Sequence, residues 1–140
     1  MATNQRARGL LDTSAVIQLL AIETPERLPE EPTICTITLA ELSVGPLVAR
    51  SAVEHSARQA QLQQAESDFD PLHFDAAAAR AFGQVAASLR RKGPKTAARA
   101  YDAMIAAVAV ANDLPLYTCN PEDFSGIEGL DLVPVAVSQP

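Results

Sequence analysis

Gly9-Leu10-Leu11-Asp12-Thr13-Ser14 reads as a short apolar strand that ends on an acid and passes into helical sequence over residues 14–22. A strand feeding directly into a helix is the opening unit of an α/β domain, and the rest of the chain repeats the alternation. Pro25, Pro29 and Pro32 separate that helix from a β-branched run at 33–37, predicted as the second strand. Residues 38–44 turn helical, Gly45-Pro46 punctuates them, and a polar helix is predicted over about 51–67. Residues 70–74 read as a third short strand. Residues 75–91 form an alanine-rich helix ended by Lys92-Gly93-Pro94, and Thr96 caps another running to about 112. The last two strands are predicted at 116–119 and 132–137. One domain spanning 1–140 is expected, with its core at about 9–137 and a mainly parallel sheet covered on both faces through right-handed crossovers.

The composition suits a globular domain: 140 residues, 48% hydrophobic and 20% charged. No apolar run approaches the roughly 18 residues of a membrane span, so no membrane partner is expected. Residues 1–8 are polar and basic with no apolar stretch behind them, which makes the cytoplasm the default expectation. Cys35 and Cys119 lie in separate strand-like runs without a CxxC or a histidine at ligand spacing, and read as buried structural thiols. His55 and His73 are isolated and read as solvated or lightly packed.

In a parallel sheet, ligands bind beyond the carboxyl ends of the strands. Asp12 directly follows the first strand, Glu41 lies just past the second, and Asp123 sits in the Asn120-Pro121-Glu122-Asp123 turn after the fourth. Asp102 lies in the apolar helix before that strand. Each has a plain structural explanation. Asp12 can cap its helix, Thr38-Leu39-Ala40-Glu41 matches a capping box, and Asp123 can stabilise a turn. For Asp102, well inside an apolar helix, the plain alternative is a surface pair with Arg99.

Together the four acids point elsewhere. Two carboxylates about 5 Å apart repel by roughly 3 kcal/mol at an effective dielectric near 20. A cleft of such acids therefore calls for a cation. Oxygen-only ligands favour Mg²⁺, or Mn²⁺, over zinc. Mg²⁺ keeps several waters and stabilises charge on phosphate, which suits phosphodiester hydrolysis.

Four segments carry a resemblance: Leu10-Leu11-Asp12-Thr13-Ser14, Thr36-Ile37-Thr38-Leu39-Ala40-Glu41-Leu42, Asp102-Ala103-Met104-Ile105-Ala106-Ala107 and Thr118-Cys119-Asn120-Pro121-Glu122-Asp123-Phe124. They resemble the acidic motifs of PIN domains, in the order and spacing of VapC-type toxins of bacterial toxin–antitoxin pairs. The resemblance implies a three-layer fold with about five strands in the order 3-2-1-4-5 and the acids at one end. It implies a metal-dependent endoribonuclease with Asp12, Glu41, Asp102 and Asp123 as catalytic and metal-binding residues, Glu41 binding directly or through water. Asn120 stands where some members are acidic, which leaves Asn120 or Asp123 to complete the acid cluster. Thr13, Ser14 and Thr118 match hydroxyl positions beside the acids, and Asn112-Asp113 stands where glycine is frequent, with Asn112 suited to the left-handed helix end. A homodimer, built on regions 14–22 and 38–48, and a VapB-type antitoxin that presents an arginine to the acids are likewise implied. With strands two and four flanking strand one, Cys35 and Cys119 fall about 9–10 Å apart, beyond disulfide reach.

The net charge of −6 has to be reconciled with an RNA partner. Between Ala76 and Tyr101 there is no acid, and Arg80, Arg90, Arg91, Lys92, Lys95 and Arg99 supply six of the eleven basic residues. A local basic patch serves phosphate where the total does not. Arg90, Arg91, Lys92 and Lys95 are expected on the RNA backbone, with Arg99 nearest the scissile group. The competing functions are weaker. A receiver-type phosphoacceptor domain calls for paired acids after the first strand, a dinucleotide enzyme for G-x-G-x-x-G, which is missing, and a catalytically silent PIN-fold interaction module has no need of intact acids.

Overall fold

The computed structural model describes residues 7–23, 25–93 and 99–137. Its elements run β1 (Arg8–Leu11), α1 (Thr13–Ile17), β2 (Glu31–Thr33), α2 (Thr36–Leu47), α3 (Ala52–Asp68), α4 (Ala76–Arg90), α5 (Ala100–Ala111), β3 (Leu116–Thr118) and β4 (Leu132–Pro134). The strands form one sheet in the order β2-β1-β3-β4, and every pairing is parallel.

Strand alternation builds the layers. Leu10 and Leu116 point to one face, where α4 and α5 supply Val85, Leu89 and the run from Ile105 to Ala109. Leu11 and Tyr117, one residue on, point to the other, where α1, α2 and α3 supply Ala15, Val16, Leu42 and Ala65. Successive strand residues face opposite sides, so a buried two-residue step feeds both cores. Leu10, Leu11 and Leu116 are fully buried, each contributing about 1.5–3 kcal/mol.

The structure departs from the sequence reading in several places. The predicted third strand shrinks to a single bridge, Cys35 to Leu72, because Pro71 beside it has no N–H to extend a ladder. With that bridge as an edge, the order is the expected 3-2-1-4-5. The second strand lies earlier than 33–37, and α2 takes up Thr36 and Ile37, because packing outweighs β-propensity. The first helix ends at Ile17 and continues as the 3-10 turn Leu19–Ala21. Gly45-Pro46 does not stop α2 before it. Pro46 sits in the last turn, where α3 occupies the freed carbonyls: Arg58 Nη1 donates to Gly45 O (2.9 Å) and His55 Nδ1 to Pro46 O (2.8 Å). At the end of α5 the left-handed residue is Asp113 (φ 52°), while Asn112 turns its amide back to Val108 O at 2.8 Å. Thr96, the expected cap of α5, lies outside the described residues.

Cys35 and Cys119 are both free, Cys35 buried and Cys119, against expectation, only half-buried. Among the described residues no helix is long and apolar enough to cross a membrane.

Gly9 marks the tightest approach in the sheet. A Cβ there would collide with the Tyr117 ring, 2.9 Å from Cδ1, and reach within 3.0 Å of Pro29 Cγ. Because Tyr117 is buried at 1% exposure, the ring has nowhere to move. Gly9→Ala should destabilise the domain by about 1–3 kcal/mol, read as a lower urea midpoint with an unchanged slope. An unchanged midpoint would show that the ring yields freely.

Candidate active site

The site starts where β1 runs out. Asp12 adopts extended backbone (φ −78°, ψ 176°) and caps α1, its Oδ1 accepting from Ala15 N at 2.8 Å. The same oxygen accepts from Ser14 Oγ at 2.7 Å, and Oδ2 accepts from Thr118 Oγ1 at 2.5 Å. Both hydroxyls are themselves held from behind. Cys119 N donates to Ser14 Oγ at 3.1 Å and Asn120 N donates to Thr118 Oγ1 at 3.0 Å. Two relays of backbone N–H, hydroxyl and carboxylate thus fix Asp12, which is 3% exposed. Burial still pushes its pKa up, against the hydrogen bonds from Thr118, Ala15 and Ser14.

Glu41 enters from α2. Thr13 Oγ1 donates to Glu41 Oε1 at 2.6 Å, and its only proton is then used. Thr38 Oγ1, 3.1 Å from Thr13 Oγ1, must therefore donate to it. Thr38 is fully buried and its role was missed from sequence. The expected capping box does not form, because Cys35, not Thr38, is the N-cap of α2. Polar burial concentrates here: of the four buried polar residues described, Asp12, Thr38 and Thr118 all belong to this site.

Asp102 is not deep in its helix as expected. It lies in the first turn of α5, where the helix dipole favours a negative charge. Among the described residues its half-buried carboxylate has no hydrogen-bond or ion-pair partner. Its pKa is pushed up from 3.8 to about 6, first by burial, then by Asp123, Glu41 and Asp12, with Arg99 opposing. The other three predicted acids therefore all act on Asp102, and Asp123 also acts on Asp12. Even so, no three acidic, histidine or cysteine side chains among the described residues close tightly enough to cage an ion. A hydrated Mg²⁺ ion needs only one or two carboxylates in direct contact.

Asp123 closes the 3-10 turn Pro121–Asp123. Asn120 is exposed and contributes its backbone, donating to Thr118 and accepting from Asp123 N at 3.1 Å. Arg99 does not take up the alternative pair with Asp102: its Nη1 lies 2.9 Å from Asp123 Oδ1. The basic stretch is likewise partly engaged. Lys92 donates to the carbonyl and hydroxyl of Ser125, and Arg91 approaches Glu128 at 3.5 Å with both side chains largely exposed. Arg90 is exposed, and Lys95 lies outside the described residues. Asp75, the acid after the third strand, is spent as the N-cap of α4, which leaves no phosphoacceptor there.

A sheet of this order with acids at the carboxyl ends of its strands defines a class. The PIN domain model matches residues 9–130, and the chain belongs to that family. It is 34% identical over 128 residues to Ribonuclease VapC5 of Mycobacterium tuberculosis, covering 88% of this chain and 90% of that protein. Its fold is similar to that of VapBC-5 from the same organism, a member of the VapBC family of toxin–antitoxin systems. The TM-score is 0.78 at 32% identity, over 94% of this chain and 99% of that one. DNA-bound VapBC from Salmonella typhimurium gives a TM-score of 0.69 at 26% identity, over 91% and 98% of the two chains.

The raised pKa of Asp102 has a stability consequence. An acid whose pKa is higher folded than unfolded binds its proton more tightly when folded. Its charge therefore costs stability as pH rises from 3.8 through about 6. Without metal, Asp102→Asn should raise the melting temperature at pH 7.5, and the gain should close as pH falls to 4. An equal gain at both pH values would show that charge is not the cause.

Proposed function

We infer that this chain is an endoribonuclease, the toxin of a toxin–antitoxin pair, and that Asp12, Glu41 and Asp102 hold a divalent cation, Mg²⁺ or Mn²⁺, at which RNA is hydrolysed. The observation that carries the site assignment is Asp102, a half-buried carboxylate with no bonded partner among the described residues, on which the charges of Asp123, Glu41 and Asp12 all act. The donor set fits a hard divalent ion, since it offers carboxylate and hydroxyl oxygens and no histidine. When bound, such an ion supplies Lewis-acid stabilisation of the phosphate and lowers the pKa of a water.

The chain's own residues do the positioning. Ser14, Ala15 N–H and Thr118 hold both oxygens of Asp12, and Thr13, itself bonded by Thr38, holds Glu41. Asp123 completes the acid set from the turn after β3. The acids repel an RNA backbone, so attraction comes from the cation and from the basic stretch of Arg90, Arg91, Lys92 and Lys95. The partner is a VapB-type antitoxin that places an arginine among the acids, where a charge-assisted fork matches carboxylate. A homodimer is supported by exposed apolar side chains: Ile17, Val44, Leu47 and Val48 all fall in regions 14–22 and 38–48.

Asp12→Asn and Asp102→Asn should each lower RNA cleavage by more than the roughly 10- to 100-fold typical of residues that only orient a ligand. Millimolar Mg²⁺ or Mn²⁺ should raise the melting temperature of the wild type and leave that of Asp12→Asn unmoved. Wild-type cleavage in either variant, or an unmoved wild-type melt, defeats the metal site. For RNA binding, Arg90→Ala with Arg91→Ala should flatten the slope of log affinity against log salt by about 0.7 per lost phosphate contact. An unaltered slope would mean that these two arginines are only solvated surface.

A further inference from the structure

The Arg99–Asp123 ion pair divides the acid cluster into unlike halves. Asp12 and Glu41 are bonded to hydroxyls and one backbone N–H, and Asp102 has no bonded partner among the described residues. Asp123 alone is bonded by a cation, at 2.9 Å. Arg99 is the N-cap of α5, three residues before Asp102, where a pair along the helix is the local choice. It reaches across to the 3-10 turn instead. With side chains 38% and 28% exposed, the pair is not strong in itself. Arg99 is also among the charges that act on Asp102. The turn is also secured on its far side by Lys92 on Ser125 and Arg91 on Glu128.

Resting on the metal-site reading above, we propose that Arg99 is the second cation of this site. Its guanidinium neutralises Asp123 where a second divalent ion would have to bind, so the chain takes one ion on Asp12, Glu41 and Asp102. Arginine suits the position on two counts. It stays protonated at every working pH, so its charge is permanent. Its planar fork carries five N–H donors, which allows a bond to Asp123 while others face an RNA phosphate. A lysine on the same spot keeps the charge without the fork.

Titration of the full-length protein with Mn²⁺ alone, followed by calorimetry at pH 7.5, tests this without reference to activity. The wild type should bind one Mn²⁺ per chain. Arg99→Gln should free Asp123 and admit a second ion, and adding Asp123→Asn should return the count to one. Arg99→Lys should keep it at one. Asp123→Asn alone should also bind one ion, because Asp123 is not a ligand of it. At saturating Mn²⁺, Arg99→Gln should lower kcat on RNA by roughly 10²-fold, as for other lost transition-state donors. Two ions on the wild type, one ion on a folded Arg99→Gln, or loss of binding in Asp123→Asn overturns the proposal. A wild type that binds no Mn²⁺ overturns the metal site itself, and the proposal with it.

Discussion

The carboxylate of Asp12 has to satisfy two demands at once. It ends the central strand β1, caps α1, and accepts from Thr118 at the end of β3, so three elements meet on two oxygen atoms. It is also buried and charged, which is unfavourable unless every lone pair facing protein finds a donor. The hydroxyls of Ser14 and Thr118 meet that need because each can donate to Asp12 while accepting from a backbone N–H behind it. The donors are structural, but their effect is to hold a negative charge at the sheet edge with its orientation fixed.

The other acids are tolerated by different means. Glu41 is bonded by one hydroxyl, Asp123 by a guanidinium, and Asp102, among the described residues, has only the dipole of its own helix. Compensation thus falls from Asp12 to Asp102. Asp102 accordingly carries the pKa furthest from its ordinary value, at about 6. An amide residue there would suit the fold better.

Much of this was legible in the sequence because it is local. The Gly9-Leu10-Leu11 run ending on Asp12, and Leu116-Tyr117-Thr118 before the second acidic turn, have the short apolar pattern of buried parallel strands, and three of the four acids could be sorted by their places after strands. What escaped depends on contacts between distant residues. Thr38 looked like a cap because Glu41 follows three later, yet its hydroxyl serves Thr13, 25 residues away. Arg99 looked like a partner for Asp102 by helix spacing, yet it bonds a residue in another element. The start of α2 was misplaced because Thr36 and Ile37 have strand propensity, which buried packing at Thr38 overrides.

The segregated charge resolves the tension between an acidic chain and an anionic substrate. Arg91, Lys92 and Arg99 are engaged with one segment, through Glu128, Ser125 and Asp123. These contacts are exposed or half-exposed and individually weak. The choice of partner matters most at Arg99. Paired with Asp102, it would have supplied the charge the cluster lacks. Paired with Asp123, it only partly opposes the other acids at Asp102, whose pKa stays raised to about 6.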